Sequence, residues 1–334
     1  MNHQSRIKIS ARDNGIHLED SIVWFDSVKS GEVSFLSSAL QQSAGFSRKT
    51  QIIQTLGTAK ILEALGKKTK SLVCQFNRPF SVGSIKMELL PAGSVLGSSS
   101  LFLEHNGERL LYAPCAQPQK HILTRKMQLK KTDTLLVDAS LPNLKISLPS
   151  RKKEKERLLD KVVQYKLKNG VYPIITASSV GVSQELTQLF SSNNIPVLVH
   201  PMTGKINKVY EDCGIKLGSY KVFSKRNSSN DRLMIMPFAT AFQRTFNLPE
   251  GRDIFAVAHD VGSYLMLEDY RDFYETFALN TKADGPELKE IIAAAQPDRI
   301  LITGQYVQKY LNEFKSLSKK IRPVYKNDQP SFFD

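Results

Sequence analysis

The chain has 334 residues and a formal net charge of +14 at pH 7, with an isoelectric point near 9.5. Its hydrophobic content of 41% and charged content of 23% exclude a disordered or low-complexity protein. The length suits two packed domains better than one core. The positive excess favours a polyanionic partner, nucleic acid first, although a basic protein without such a partner has the same composition.

The cysteines and the hydropathy pattern indicate a compartment. Cys74, Cys115 and Cys213 are too few and too scattered for a disulfide framework, which favours a reducing environment. Residues 1–8 contain no apolar leader segment, and no apolar run approaches the ~18–20 residues that a bilayer span needs. We therefore expect a cytoplasmic protein with no membrane contact.

The first third of the chain predicts short strands separated by polar turns. Apolar runs predict a hairpin over residues 7–18, a buried strand over 21–25 that ends at Asp26, and a strand over 33–36. Small polar side chains follow that strand in residues 35–44, FLSSALQQSA. The second half of residues 49–66 has the apolar spacing of a helix that ends at a glycine.

A glycine-rich loop and a hairpin form the most distinctive stretch. Residues 89–100, LLPAGSVLGSSS, follow a predicted strand over 85–90 and lead into two apolar runs separated by Asn106-Gly107. An Asn-Gly pair between apolar runs predicts a tight hairpin, because both turn residues need a positive φ. The loop glycines let the backbone approach another group closely.

The middle of the chain alternates strands and helices. A strand over 134–140 contains Asp138, and a helix is predicted over 151–168 with Arg151, Lys152 and Lys153 in its first turn. Cations there oppose the helix dipole, so either an anionic partner or a solvated charged face is expected. The later alternation predicts a parallel sheet covered on both faces. The turn at Ser178-Ser179 offers backbone N–H groups for a phosphate.

The loop and hairpin of residues 89–112 resemble the PAGHxLGSA loop and hairpin of metallo-β-lactamase-fold nucleases with a β-CASP insert. The bacterial DNA-ligase-associated exonucleases are the most similar group, and the resemblance extends over about residues 7–325. It implies an α/β fold, an αββα metallo-β-lactamase sandwich with an inserted β-CASP α/β domain. The implied division is residues 1–150 for the first part of the sandwich, 151–270 for the insert and 271–334 for the return.

In that family histidines and aspartates hold two zinc ions, and the resemblance places other residue types at most of these positions. Residues 35–44 align with a motif that reads H-x-H-x-D-H, and residues 278–284 align with ALSDHAD. The implied active-site positions are occupied by Asp26, Ser38, Leu40, Gln42, Ser43, Ser94, Cys115, Asp138, Thr281, Lys282 and Gly304.

The replaced positions predict that no catalytic metal is bound. Asp26 and Asp138 remain acidic, but hydroxyls, amides and an alkyl chain are poor substitutes for imidazole on zinc. We therefore expect no catalytic residues, no metal and no cofactor, and interpret the chain as a catalytically inactive pseudo-nuclease. Two alternatives stay open: an active metal-dependent exonuclease or hydrolase with an unfamiliar site that uses Cys115, Asp138 and scattered histidines, and a protein-interaction scaffold.

Lys282 has two interpretations. Its ammonium group either neutralises Asp26 or Asp138 in place of the missing metals, or holds a phosphate of a bound strand. The candidate nucleic-acid-binding residues are Lys282, Ser178, Ser179, Arg151, Lys152 and Lys153. The resembled group acts on DNA, so DNA is expected before RNA. An active nuclease, ligase or helicase is the expected protein partner, in DNA repair or RNA processing.

Overall fold

The computed structural model describes residues 7–13, 15–27, 29–41, 45–224, 230–238, 251–269, 273–317 and 319–324. Gln42 and Ser43 therefore lie outside the described residues. The chain divides into two compact units: unit 1 comprises Met1–Lys145 and Gly285–Asp334, and unit 2 comprises Ile146–Asp284. Among the described residues, no helix is both long and apolar enough to cross a bilayer.

Unit 1 contains two sheets. The first has six strands in the order of the chain, antiparallel from β1 to β3 and parallel from β3 to β6. Its strands are β1 (Ile9–Arg12), β2 (Gly15–Leu18), β3 (Val23–Phe25), β4 (Val33–Phe35), β5 (Gln51–Gln54) and β6 (Lys70–Val73). Helix α1 (Leu56–Ala64) connects the last two strands. Because β6 has no partner on its outer side in this sheet order, it is an edge strand.

The second sheet has seven strands in the order β19-β18-β11-β10-β9-β8-β7. They are β7 (Phe80–Val82), β8 (Ile85–Pro91), β9 (Ser99–His105), β10 (Glu108–Tyr112), β11 (Thr134–Asp138), β18 (Arg299–Thr303) and β19 (Lys320–Pro323). Phe25 and Phe35 from the first sheet share one apolar cluster with Leu89 and Leu101 from the second. The core of unit 1 therefore lies between the two sheets.

Unit 2 is built on one six-stranded sheet, in which every strand pair is parallel. In spatial order the strands are β14 (Tyr220–Val222), β13 (Val197–Val199), β15 (Leu233–Pro237), β12 (Ile174–Ala177), β16 (Ile254–Ala258) and β17 (Glu275–Ala278). Leu158 on a helix packs with Ile175 and Phe255 in one cluster, and Ile174 and Met234 pack in another. The predicted parallel sheet with apolar faces on both sides is confirmed.

Six further helices lie among the described residues. They are α2 (Arg151–Asn169), α3 (Val182–Ser192), α4 (Pro201–Asp212), α5 (Val261–Glu268), α6 (Gly285–Ala295) and α7 (Val307–Phe314). The prediction of α2 is confirmed, and Gly170, with φ +70°, caps the C-terminal end of this helix. Helix α4 begins at Pro201, and the side chain of His200 before it accepts a hydrogen bond from the amide of Met202.

The two compact units are divided after residues 145 and 284. The domains that the resemblance implies are divided after residues 150 and 270. Strand β17 pairs with β16, and the amide of Leu148 donates to the carboxylate of Asp284 at 2.9 Å. These contacts belong to unit 2, so Thr281 and Lys282 are part of unit 2.

Candidate functional site

The glycine-rich loop after β8 packs against the start of α1. The hydroxyls of Thr55 and Thr58 both donate to the carbonyl of Gly97, at 2.6 and 2.9 Å. A Cβ on Gly97 would lie 2.2 Å from the amide nitrogen of Thr58, and its φ is +80°. The expected close approach of the loop backbone is confirmed, and the group approached is the protein's own helix.

Two of the predicted site positions in this region are serines with different surroundings. Ser38 is fully buried and its hydroxyl accepts a hydrogen bond from the amide of Leu40 at 3.1 Å. Ser94, on the glycine loop, is also fully buried, and its hydroxyl has no hydrogen-bond partner among the described residues. Leu40 itself is half-buried. The loops therefore hold hydroxyl and alkyl groups where the resemblance implies imidazoles.

Asp26 lies at the centre of the hydrogen bonds in this part of unit 1. It follows β3 with a positive φ of +49°, and its amide donates to the carbonyl of Phe35. Its carboxylate accepts from the amide and the hydroxyl of Ser37, at 2.7 and 2.8 Å, and from the hydroxyl of Tyr112 at 2.9 Å. Two donors from Ser37, after β4, and one from Tyr112, at the end of β10, thus fix this carboxylate.

The ionisation of Asp26 is shifted in the direction that burial dictates. Burial raises its pKa from 3.8 to about 6, the bonds from Ser37 and Tyr112 oppose this rise, and the nearby carboxylate of Asp138 adds to it. Burial, followed by the charges of Asp26 and Asp138, also holds the pKa of Tyr112 well above its ordinary value. The site is therefore acidic, and near neutral pH the proton occupancy of Asp26 changes.

Cys115 lies beside the same cluster. It is fully buried, with its sulfur 3.5 Å from the hydroxyl of Ser37 and 3.4 Å from the side-chain nitrogen of Gln41, which donates to it. The resemblance implies a metal-bridging aspartate at this position. The thiol here is one member of a network with Ser37 and Gln41.

Gly304 lies next to Asp138, which belongs to the neighbouring strand. Asp138 ends β11 and Gly304 follows the paired strand β18, and the amide of Ala139 donates to the carbonyl of Thr303 at 2.6 Å. A Cβ on Gly304 would lie 2.8 Å from a carboxylate oxygen of Asp138, and its φ is +109°. The positive φ favours glycine, and the histidine that the resemblance implies would require Asp138 or the backbone at Ala139 to shift.

The donor set does not fit the two zinc ions that the resemblance implies. Zinc sites in proteins use three or four thiolate, imidazole or carboxylate ligands. Among the described residues, no three His, Cys, Asp or Glu side chains are grouped as a metal site would need. In the part of unit 1 around Asp26, the remaining positions are filled by Ser38, Leu40, Ser94 and Gly304.

Lys282 and Thr281 lie in unit 2, after β17. The amide and hydroxyl of Thr281 both donate to the carbonyl of His259, at 2.7 and 3.0 Å. Burial disfavours ionisation of Asp260, but the charge of His259, hydrogen bonds from Ser263 and the charge of Lys282 outweigh it, and the pKa of Asp260 is lowered. Within unit 2, Lys282 thus acts on Asp260.

The three basic residues at the start of α2 have different environments. Arg151 is buried at 3% exposure, and its guanidinium donates to the carbonyl of Asn280 and the carboxylate of Glu185. Lys152 and Lys153 are exposed. The anion that faces Arg151 is therefore a carboxylate of the same unit, which leaves Lys152 and Lys153 as surface candidates on this turn.

Amides in and after the turn before α3 donate hydrogen bonds to groups of the same turn and helix. The amide of Gly181 donates to the side chain of Gln184, and the amide of Ser183 donates to the carbonyl of Ser178. The hydroxyl of Ser178 donates to the carbonyl of Val180 at 2.9 Å, and the carbonyl of Ser179 accepts from Gln184. Internal hydrogen bonds thus satisfy the amides of Gly181 and Ser183 at the start of α3.

Sequence reasoning missed Ser37 and Tyr112, which hold Asp26. The available signal was position: Ser37 lies two residues after β4, and Tyr112 is the last residue of β10, where the phenol hydroxyl of a core tyrosine can reach a polar partner. The described histidines have other roles. His17 contacts Trp24 with ring centroids 4.5 Å apart, and His121 accepts from the amide of Leu123.

Comparison with known proteins gives distant relatives, and no family model matches the chain. A protein from Opitutus terrae named probable DNA ligase is 26% identical over 307 residues, covering 86% of this chain and 28% of that protein. An RNase J-like protein from Methanocaldococcus jannaschii is 24% identical over 111 residues, covering 33% of this chain and 26% of that protein. The chain spans little more than a quarter of these relatives' lengths.

A solved structure supports the fold. A protein of unknown function from Enterococcus faecalis superposes with a TM-score of 0.61 at 15% sequence identity, covering 87% of this chain and 78% of that chain. At this identity the similarity concerns the fold alone. The chain is a mixed α/β protein with three sheets among its described residues.

Proposed function

We propose that this protein is a catalytically inactive relative of the metallo-β-lactamase-fold β-CASP nucleases, that it binds nucleic acid, DNA before RNA, and that it supports an active partner. In this proposal the two sheets of unit 1 form the αββα sandwich, and unit 2 is the β-CASP insert. The names of the two relatives, a probable DNA ligase and an RNase J-like protein, support a role in nucleic-acid processing.

One observation carries the inactive state: the surroundings of Asp26. Its carboxylate oxygens accept hydrogen bonds from Ser37 and Tyr112, and its neighbour Cys115 is engaged with Ser37 and Gln41. Two-metal phosphodiester hydrolysis needs several imidazole and carboxylate ligands around two cations. Hydroxyl donors that already satisfy the acid serve a structural site better than a hydrolytic one.

The partner follows from the same comparison. The chain covers 28% of the relative named probable DNA ligase, so most of that protein lies outside the matched part. In this proposal the inactive chain supports an enzyme, and a ligase, a nuclease or a helicase fits that role. DNA repair is the process that we favour, with RNA processing as the second.

The inactive state is tested by metal analysis and a nuclease assay on the full chain with Zn²⁺ and Mn²⁺. We expect neither stoichiometric zinc nor hydrolysis of single- or double-stranded DNA. Zinc at one or two equivalents together with hydrolysis would overturn the proposal. Hydrolysis without zinc would instead support the alternative of an unfamiliar site around Cys115 and Asp138.

Lys282→Ala tests whether the ammonium group holds a phosphate. If it does, DNA affinity at low salt falls several-fold and the salt dependence decreases by about 0.7 for the lost contact. Binding of a labelled single strand by fluorescence anisotropy measures both, with Lys168→Ala, at the exposed end of α2, as the control. Unchanged affinity would exclude the phosphate role and leave the interaction with Asp260 as the function of Lys282.

A further inference from the structure

Two stretches of unit 1 contain cations and no acids. Residues 64–87, which lie between Glu63 and Glu88, contain five lysines or arginines and no aspartate or glutamate. Residues 110–132 likewise include lysines and an arginine but no acid. Since the chain as a whole has 32 acidic residues, these two segments are unusually one-sided in charge.

The fold brings part of these two segments together beside the end of β8. The guanidinium of Arg125 lies over the ring of Phe76, 5.3 Å from its centroid. Phe76 forms a bridge with Leu89, and the amide of Gln128 donates to the carbonyl of Pro91 at 2.9 Å. The segment before Phe76 is the edge strand β6, so edge strand and basic segment form one neighbourhood.

Five cations of this neighbourhood define what we call the basic edge. They are Lys68, Lys70, Arg78, Arg125 and Lys126, all of them exposed. We leave out Lys86, which lies opposite Glu104 in the sheet, and Lys130, which pairs with Glu88 at 2.5 Å. Among the ion pairs between described residues, none within 4.0 Å involves a member of the basic edge.

Protection of an exposed strand explains only part of this surface. Lysines on edge strands commonly prevent pairing with other chains, and this accounts for Lys70 on β6 and Lys68 beside it. Arg78, Arg125 and Lys126 lie outside any strand. Their exposed charges therefore need another reason, and a polyanion is the partner that such charges attract.

Apolar groups beside these cations favour a single strand over a duplex. Leu72 and Val73 on β6 are 39% and 45% exposed, and Phe76 is half-buried under Arg125. A duplex offers mainly phosphates along its surface, whereas a single strand offers phosphates together with unstacked bases that contact apolar and aromatic side chains.

We propose that the basic edge binds the phosphodiester backbone of a single-stranded nucleic acid, with bases against the apolar side chains of β6 and Phe76. This inference rests on the proposed nucleic-acid binding and gives it a location away from Asp26 and Lys282. It assigns the contacts to residues for which the sequence comparison with nucleases provides no role.

The test compares two triple variants of equal net charge. The first carries Arg78→Gln, Arg125→Gln and Lys126→Gln, and the control carries Lys168→Gln, Lys205→Gln and Lys216→Gln, all at exposed positions. The probes are labelled oligothymidylate and oligouridylate of ~20 nucleotides and a matched duplex, titrated from ~50 to ~200 mM salt. Thermal unfolding confirms that both variants are folded.

We expect the basic-edge variant to lose about tenfold or more in single-strand affinity, with a salt slope smaller by about 2, and the control to change about twofold. Equal losses in both variants would overturn the inference, because only net charge would then matter. So would tighter binding of duplex than of single strands. If the wild-type protein binds neither the single strands nor the duplex, nucleic-acid binding itself must be removed from the proposed function. If only Lys282→Ala lowers the affinity, the proposed function stands and the basic edge is rejected.

Discussion

A buried polar cluster in unit 1 and another in unit 2 balance their charge differently. In unit 2, Glu185 faces both Arg151 and Lys155, and Glu154 faces Arg157 at 2.8 Å. In unit 1, Asp26 faces hydroxyls and an amide, with a second carboxylate nearby. The first cluster compensates its carboxylates with cations, and the second compensates them with hydrogen bonds and a raised pKa.

The difference shows what each cluster depends on. An ion pair between buried groups keeps its charge across the physiological pH range, but losing one partner leaves the other charge uncompensated. A carboxylate held by neutral donors is disfavoured as a charge and is stabilised by taking up a proton. Unit 2 is therefore expected to be sensitive to mutation, and the Asp26 cluster to pH.

The largest effect is expected for Arg151→Met. It removes the guanidinium from the buried carboxylate of Glu185, which keeps its ion pair with the partly exposed Lys155, so the free energy of unfolding should fall by about 3–5 kcal/mol. Urea unfolding measures the change. Lys152→Met is the matched control, since its exposed ammonium lies 4.0 Å from Glu156 and should cost less than about 0.5 kcal/mol. Similar losses in both variants would contradict the assignment.

The second effect concerns Asp26 and pH. Its pKa of about 6 in the folded protein exceeds its ordinary value of 3.8, so the folded state binds more protons between these values. The free energy of unfolding therefore falls as pH rises through this range, by about 2 kcal/mol for this group. Asp26→Asn removes the titration, and asparagine tolerates the positive φ.

Urea unfolding of wild type and Asp26→Asn at several pH values from about 4 to about 7 tests this expectation. The difference between the two profiles isolates the one carboxyl, because all other groups titrate in both. The variant should gain stability relative to wild type as pH rises. Parallel profiles would show that Asp26 is ionised normally and that the two clusters differ less than we infer.

The smallest effect is expected for Lys282→Met. Lys282 contributes to the lowered pKa of Asp260, after the contributions of His259 and Ser263. Its loss should raise the pKa of Asp260 slightly and cost less than about 0.5 kcal/mol near neutral pH, because the pair is accessible to solvent. A carboxyl NMR titration follows Asp260. A downward shift would show that Lys282 does not act on it.

Much of the fold could be predicted, because local signals decide it. The turn at Asn106-Gly107 has φ values of +50° and +75°, as the Asn-Gly pair requires, and β9 and β10 flank it. Helix α5 was not predicted, because its start depends on the cap of Asp260 and a short apolar run without clear periodicity. Strand β5 was not predicted, because two of its four residues are glutamines.

The burial of Arg151 was open to prediction from the helical spacing of its neighbours. Arg151 and Glu154 lie on the same helical face as Leu158, Val162 and Tyr165, and all five are buried. Reading the first turn only as a run of positive charge hid this face. The partner Glu185, by contrast, lies on another helix and needed the folded chain.

The backbone at Gly304 limits which side chains protein engineering can introduce beside Asp138. Any side chain there would meet the carboxylate of Asp138 and adopt a conformation that L-amino acids rarely take. Exchanging Gly304 for a larger residue will therefore require a shift of the Asp138 side chain or of the backbone at Ala139. Designs that place a new side chain at this position must first reshape the connection from β18 to α7.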